Sequence, residues 1–413
     1  MKIITKDDLE YMIKENEEKD FIIFGASNLG IQVKKFFDEK NKQVRFFCDN
    51  DIAKQGTNIK GVYVEKPEVL KNYKNAILIV AVSEIFTIDK QLEDLYTGKA
   101  YFCDFFNYIE ASSKVCEYPS KVNSIEEIQE KISEIIKCGK PAMISRMGIV
   151  EFQIMYTYCF NDVLQQEIEK VKIMYSIDDN DKAMELINKR IKSIAKFNAG
   201  IFPVNEDYLR KFAKTYFEAV KSADVMGAFG GNYEGEILKR LCKKDLDVVE
   251  LYGLMPYKSE ICWTKELKGK KVLVIHPLDE LIKKQYLNRE KLFKNADFLP
   301  EFELKTLKAI NSAGYNECEF STWHEALEYM YEEIDKIDFD IAIIGAGAYG
   351  LPLASYVKKI GKIGIHLGGA SQLLFGIKGF RWDKEGIYNE YWKRPDDKDK
   401  PKGFKEIEGG CYW

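Results

Sequence analysis

Histidine is scarce, cysteine follows no pairing pattern and long apolar runs are missing, and each shortage narrows what this chain of 413 residues can be. The nine cysteines, at 48, 103, 116, 138, 159, 242, 262, 318 and 411, are odd in number, contain no C-x-x-C pair and have no histidine at zinc-finger spacing. A disulfide framework and a structural zinc site are thereby set aside, and reduced thiols in a cytoplasm are expected. No signal peptide is legible and no apolar run reaches the ~18–20 residues of a membrane span, so neither secretion by that route nor a membrane-spanning chain is expected. A peripheral membrane contact stays open, because a lipid-linked acceptor would demand one. An excess of one charge is missing too: 62 basic and 66 acidic residues are intermixed for a net charge of −4. Without a basic stripe nothing neutralises a phosphate backbone, and nucleic acid is not expected as a partner.

What is present is a globular balance of 46% hydrophobic and 31% charged residues, in a chain too long for one ordinary core. Two α/β domains are expected, each a doubly wound Rossmann-like sheet, over residues 1–118 and 119–413. In the first, the apolar runs FIIFG, QVRFFCDND and NAILIVAVS read as strands separated by helical stretches. Small, polar and proline residues gather in ASSKVCEYPSKVNS, residues 111–124, as in a linker. Ser124 and Glu127 then form a capping box for a helix running to Ile136. Further strands are expected at PAMISR, ADVMGA, LDVVELY, KKVLVIHP, FDIAIIGAG and KIGIHLGG, with helices over 181–197, 205–222 and 278–295 between them. Cys411, Tyr412 and Trp413 are too apolar for a free tail and are expected to pack on the body.

Two glycine turns follow strands. Gly25, Ser27 and Gly30 stand where a dinucleotide fingerprint would, with Ser27 in place of the middle glycine and Asp49 ending the second strand where a ribose would be held. The same glycines also serve tight strand–helix packing, and both readings stay open. The segment FFCDNDIAKQGTNIKG resembles the small Rossmann-like modules appended to sugar-modifying enzymes of polysaccharide gene clusters. In the second domain Gly345, Gly347 and Gly350 open a helix after a buried strand, exposing N–H groups to an anion. Beyond the next strand, His366 is a candidate general base, Gly368 and Gly369 leave open backbone, and Ser371 and Gln372 are candidate partners for a sugar or base. His276 ends another strand and belongs to the same crevice, with Pro277 turning the chain and Asp279 set to cap the next helix. Gly230, Gly231, Asn232 and Glu234 form a further loop that reads as an ordinary turn, and His324 has no recognisable partner in sequence.

The segment ISRMGIVEF resembles the R-x-G-D-G-E signature of GT-D glycosyltransferases: Arg146, Gly148 and Glu151 match it, while Ile149 and Val150 replace the aspartate and second glycine. The order of the glycine turn, helix and strand over 337–369 is similar to the half of that fold which closes the donor pocket. The resemblance implies a nucleotide-sugar donor, a glycan or glycoconjugate acceptor of bacterial surface polysaccharide synthesis, Arg146 on the diphosphate, and Glu151 as base or metal ligand. A Mn or Mg ion would lose half its protein carboxylates to Ile149. Two other classes stay in view. One is a non-catalytic sugar-nucleotide-binding scaffold. The other is an NAD(P)-dependent sugar-nucleotide oxidoreductase using the first domain, which offers no Tyr-x-x-x-Lys pair and no histidine.

Overall fold

The computed structural model describes residues 2–4, 6–82, 85–103, 118–175, 178–230, 233–243, 245–313, 319–402, 404 and 412–413. The chain divides into two compact α/β units, Met1–Val115 and Cys116–Trp413. The expected linker over 111–124 lies outside the described residues as far as 117, and its last residues enter the larger unit.

In the smaller unit the strands are β1 (Lys2–Ile4), β2 (Phe21–Phe24), β3 (Val44–Cys48), β4 (Asn58–Ile59), β5 (Val62–Glu65), β6 (Ile77–Val80) and β7 (Lys99–Cys103). They form a sheet in the order β1-β7-β6-β2-β3-β5-β4, parallel except where β4 pairs antiparallel with β5. Every residue of β2 and β6 is buried, as a strand covered on both faces requires. Alternate residues divide between two cores: Phe21, Ile23 and Ile79 face one, Ile22, Phe24 and Leu78 the other. Helices α1 (Lys6–Glu15), α2 (Asn28–Glu39) and α3 (Ile85–Leu95) make the crossovers. From β2 the chain moves outward through β3 to β5, then returns to the other side of β2 with β6 and β7. The switch point therefore lies between β2 and β6, at the Gly25 turn.

The larger unit has a wholly parallel eight-stranded sheet among the described residues, ordered β13-β12-β14-β15-β9-β10-β11-β8. The strands are β8 (Val122–Asn123), β9 (Ala142–Arg146), β10 (Val225–Ala228), β11 (Asp247–Glu250), β12 (Lys271–His276), β13 (Glu303–Lys308), β14 (Ile341–Ile344) and β15 (Ile363–His366). Helix α4 (Ile125–Cys138) opens on the expected capping box, Glu127 N–H donating to Ser124 Oγ at 3.1 Å and Ser124 N–H to the Glu127 carboxylate at 2.7 Å. Its Ile128, Ile132 and Ile136 cover one face of the sheet over Ile144, Val274 and Ile343. Between β9 and β10 run α5 (Ile149–Cys159), α6 (Asn161–Tyr175), α7 (Asn180–Ile194) and α8 (Glu206–Val220), which cover the other face over Met143, Met226 and Ile275. Then follow α9 (Glu234–Leu241), α10 (Asp279–Tyr286), α11 (Arg289–Leu292), α12 (Trp323–Asp335) and α13 (Gly350–Lys359).

The helix expected over 278–295 is thus broken after Tyr286 into α10 and α11. Tyr412 and Trp413 pack on the body, Tyr412 beside Trp382 with ring centroids 6.0 Å apart, while Cys411 lies outside the described residues. Chain reversals at Gly139, Gly269 and Gly361, all at positive φ and with open space where a side chain would begin, feed β9, β12 and β15 from the amino-terminal edge of the sheet. Among the described residues no helix is long and apolar enough to cross a membrane.

Candidate functional site

Because all eight strands run the same way, their carboxyl ends share one edge, and β12, β14, β15 and β9 stand there side by side. This is also where strand order reverses twice. The chain leaves β12 outward to β13 and comes back to β14, and it leaves β9 toward β10 while β15 fills its other side. A cavity of about 410 Å³ opens over these four ends. Its floor carries His276 from β12, Gly345 after β14, His366 from β15 and Arg146 from β9, residues that are far apart in the chain. The expected Gly148, Glu151, Gly347, Gly368, Gly369 and Gln372 also line it, whereas Gly350 and Ser371 do not.

Arg146 ends β9 half-buried, with Nε and Nη2 donating to the Met147 carbonyl at 3.2 and 3.1 Å. Among the described residues it pairs with no carboxylate, so its charge is available to the cavity. Helix α5 begins at once, and its first-turn N–H groups have no intrahelical acceptor. Gly148 N–H is already engaged, donating to Tyr216 Oη at 3.0 Å. Glu151 folds back over Gly148, whose missing side chain leaves the space: a Cβ there would stand 1.8 Å from Glu151 Oε2. Tyr216 is buried, and desolvation together with the nearby Glu151 carboxylate pushes its phenol far above the usual range.

On the other side, the glycine turn after β14 places the start of α13 at the rim. Gly345 N–H donates to the Ile275 carbonyl at 2.9 Å, which holds the turn to β12. The following Ala346, Gly347 and Ala348 line the cavity wall, the last two in a 3-10 turn, Gly347–Tyr349, that leads into α13, with Gly347 at φ +52°. The beginning of α5, this glycine turn and one guanidinium therefore line the same space.

Several expected ligand contacts turn out to be internal fastenings. Gly345 is glycine because a Cβ would meet Ser371 Oγ at 2.0 Å and the His276 ring at 2.6 Å, and Gly350 because one would meet His366 Nε2 at 2.3 Å. Ser371 is fully buried and donates to the Gly368 carbonyl at 2.6 Å, so it is removed as a sugar contact. The Gln372 amide donates to the carbonyls of Lys378 and Tyr412 at 3.1 and 3.0 Å, holding the wall rather than a ligand. Gly369 is occupied in the same sense, since a Cβ there would lie 2.2 Å from the Tyr412 ring.

The two histidines of the floor are each only 4% exposed. Burial lowers His276 from the ordinary 6.5 to about 3, and burial with the Arg146 charge lowers His366 to about 3. His366 Nδ1 meets Ser145 Oγ at 3.0 Å. Both rings are thus disfavoured in their protonated form. His276 Nδ1 accepts from Leu278 N–H at 3.0 Å, so its ring hydrogen sits on Nε2 and makes it a neutral donor. Asp279 is the first residue of α10, and the cap position expected of it is held by Leu278.

In the smaller unit the structure brings Gly25, Ser27, Gly30 and Asp49 to the β2–β3 edge but ties them to each other. Gly25, at φ +108°, lies against the Ala81 carbonyl, and a Cβ on Gly30 would stand 1.8 Å from the Gly25 carbonyl oxygen. Asp49 accepts from Ala26 N–H at 2.7 Å, Asp51 N–H at 2.9 Å and Lys54 Nζ at 3.2 Å. Its two oxygens are thus engaged with protein donors. Ser27 caps α2 with its backbone only.

Elsewhere, Glu234 is buried and accepts from Gly230 N–H at 2.9 Å and Tyr118 Oη at 3.1 Å, closing its own loop, while Gly231 and Asn232 lie outside the described residues. His324 meets Thr215 Oγ1 at 3.2 Å, apart from the cavity walls. Sequence reasoning passed over Tyr216, Asn311, Ser312 and Arg381, all of which line the cavity. A polar pair after β13 and an arginine between aromatic residues carried no motif that would have found them.

Glu151 is the single match to the expected carboxylate pair, Ile149 stands at the other position with 51% of its surface exposed, and no group of three or more His, Cys, Asp or Glu side chains suited to a metal occurs among the described residues. Compared with known proteins, the chain matches no protein-family model and no curated protein, so the role of the site rests on its geometry.

Proposed function

We propose that the larger unit binds a nucleotide sugar along this rim and transfers the glycosyl group to a hydroxyl of a glycan or glycoconjugate acceptor, in bacterial surface polysaccharide synthesis. The observation that carries the reading is the meeting of Arg146 with the beginning of α5 and the glycine turn before α13 over four parallel strand ends. A leaving nucleoside diphosphate gains negative charge as its bond to the anomeric carbon breaks. Fixed N–H dipoles and a guanidinium oppose that charge without reorganising. The acceptor oxygen forms the new bond and loses its proton to Glu151, the cavity carboxylate closest to Arg146 in sequence; both floor histidines are too weakly basic to compete. His276 Nε2–H adds a neutral donor to the floor.

The full chain is tested with a panel of nucleotide sugars, following transfer and hydrolysis. Glu151→Gln is expected to lower turnover by about 100-fold or more while donor affinity changes little, the signature of lost general-base work. Unchanged turnover would remove Glu151 from that role, and a chain that binds no nucleoside diphosphate at all would end the reading. The exposed Ile149 favours a second reading, a sugar-nucleotide-binding scaffold. Tight binding without turnover, with or without manganese, would select it.

A further inference from the structure

The wall of the cavity beyond Gly369 is aromatic and cationic, and nothing in the transfer chemistry requires it to be. Gly368 and Gly369 are adjacent, yet each is glycine for a different neighbour: a Cβ on Gly368 would stand 3.0 Å from Arg146 Nη1, and one on Gly369 would stand 2.2 Å from the Tyr412 ring. A charged group and a planar ring are thus seated on consecutive residues of one turn. The Tyr412 ring is fixed in place. Arg381 Nη1 donates to its hydroxyl at 3.1 Å, the Arg381 guanidinium lies 4.8 Å from the ring centroid, and the Gln372 amide holds the Tyr412 carbonyl at 3.0 Å. Trp413 adds a second ring at right angles, 5.9 Å away, and Arg381, Tyr412 and Trp413 all face the cavity.

From this placement we infer that the wall formed by Arg381, Tyr412 and Trp413 is the docking surface for the planar base of the same phosphorylated ligand, with the phosphates directed to Arg146 and the base away from it. The inference rests on the proposed phosphate site and adds to it an orientation and the residues that would hold the nucleoside part. Stacking on aromatic rings and on guanidinium planes tolerates any base, since every base has a π-face. The wall accordingly selects for a nucleoside part, leaving the identity of the base to other contacts.

The test is calorimetry on the full chain with uridine diphosphate, guanosine diphosphate and inorganic pyrophosphate. Tyr412→Ala and Trp413→Ala are expected to weaken both nucleotides by about tenfold to a hundredfold, the usual effect of removing a stacking ring, while pyrophosphate affinity moves less than about twofold. Tyr412→Phe retains the ring and is expected to restore most of the affinity, which separates stacking from a fold defect. The Gln372 contact is to the backbone and survives all three changes at Tyr412 and Trp413. Equal weakening of nucleotides and pyrophosphate, or unchanged or tighter nucleotide binding in Tyr412→Ala, overturns the inference while the phosphate site stands. A wild-type chain that binds pyrophosphate as well as the nucleotides overturns it too. If the wild type binds none of the three, the phosphate reading falls and this one with it.

Discussion

At the scale of single residues, glycines in this chain differ sharply in what they are for. Gly345 sits under Ser371 and against His276, where a Cβ has no room, whereas Gly347 faces open space and is constrained only by its positive φ. Gly345→Ala is expected to lower stability by about 1–3 kcal/mol through overpacking and to disturb His276, and Gly347→Ala by about 1 kcal/mol through backbone strain alone. Denaturant titration of the two variants checks the order, and a larger loss at Gly347 would contradict it. Both residues look alike in sequence, each a glycine between a strand and a helix. That is why so much of the expected ligand set, Gly350, Ser371 and the Gln372 amide among it, proves to hold the rim together. Arg146 and Glu151 were legible because a short motif keeps them five residues apart. Tyr216 was not, since its hydroxyl reaches Gly148 from a helix 68 residues further along, and no local pattern records that distance.

At the scale of elements, short apolar runs were a reliable guide to the buried strands β2, β6, β9, β12, β14 and β15, whose residues are nearly all inside. The edge strand β13, ELKTLK, escaped notice because its burial is partial throughout and its sequence is half charged. The two-residue strands β4 and β8 are too short to show a period. Helix α4 was legible from its cap, but the way it is fastened was not. Gln129, on its buried face, donates to the Gly253 carbonyl at 2.7 Å and accepts from Trp263 N–H at 3.1 Å, pinning two irregular segments to the helix. Gln129→Leu leaves that carbonyl and N–H buried without partners and is expected to cost about 2–4 kcal/mol, roughly 1–3 for each orphaned group with partial relaxation. A denaturation midpoint unchanged by this substitution would show that water replaces the amide.

At the scale of the whole molecule, every histidine of the chain lies in the larger unit and every one is held neutral. Burial lowers His276 and His366 to about 3, and burial with the Lys211 charge lowers His324 to about 4. Since 6.5 is the ordinary value, the unfolded chain binds more protons than the native one between these limits. The stability from keeping these rings neutral is whole above about pH 6.5 and is lost as pH falls toward 3–4. With three protons taken up, the slope approaches about 4 kcal/mol per pH unit near pH 5. Chemical denaturation of the full chain at pH 7.5, 6.0 and 5.0 measures it, and equal midpoints across that range would refute the account. No imidazole is then left to titrate near neutrality. The amine of Lys170, outside the cavity lining, is lowered by burial to about 7.

Strand polarity carries one more consequence. The reversals at Gly139, Gly269 and Gly361 sit on the edge of the sheet remote from the cavity, in space that no other group fills. Residues added there would lengthen a hinge between helix and strand without reaching the chemistry. That spare margin is a natural place to attach a tether or reporter with the cavity face left untouched.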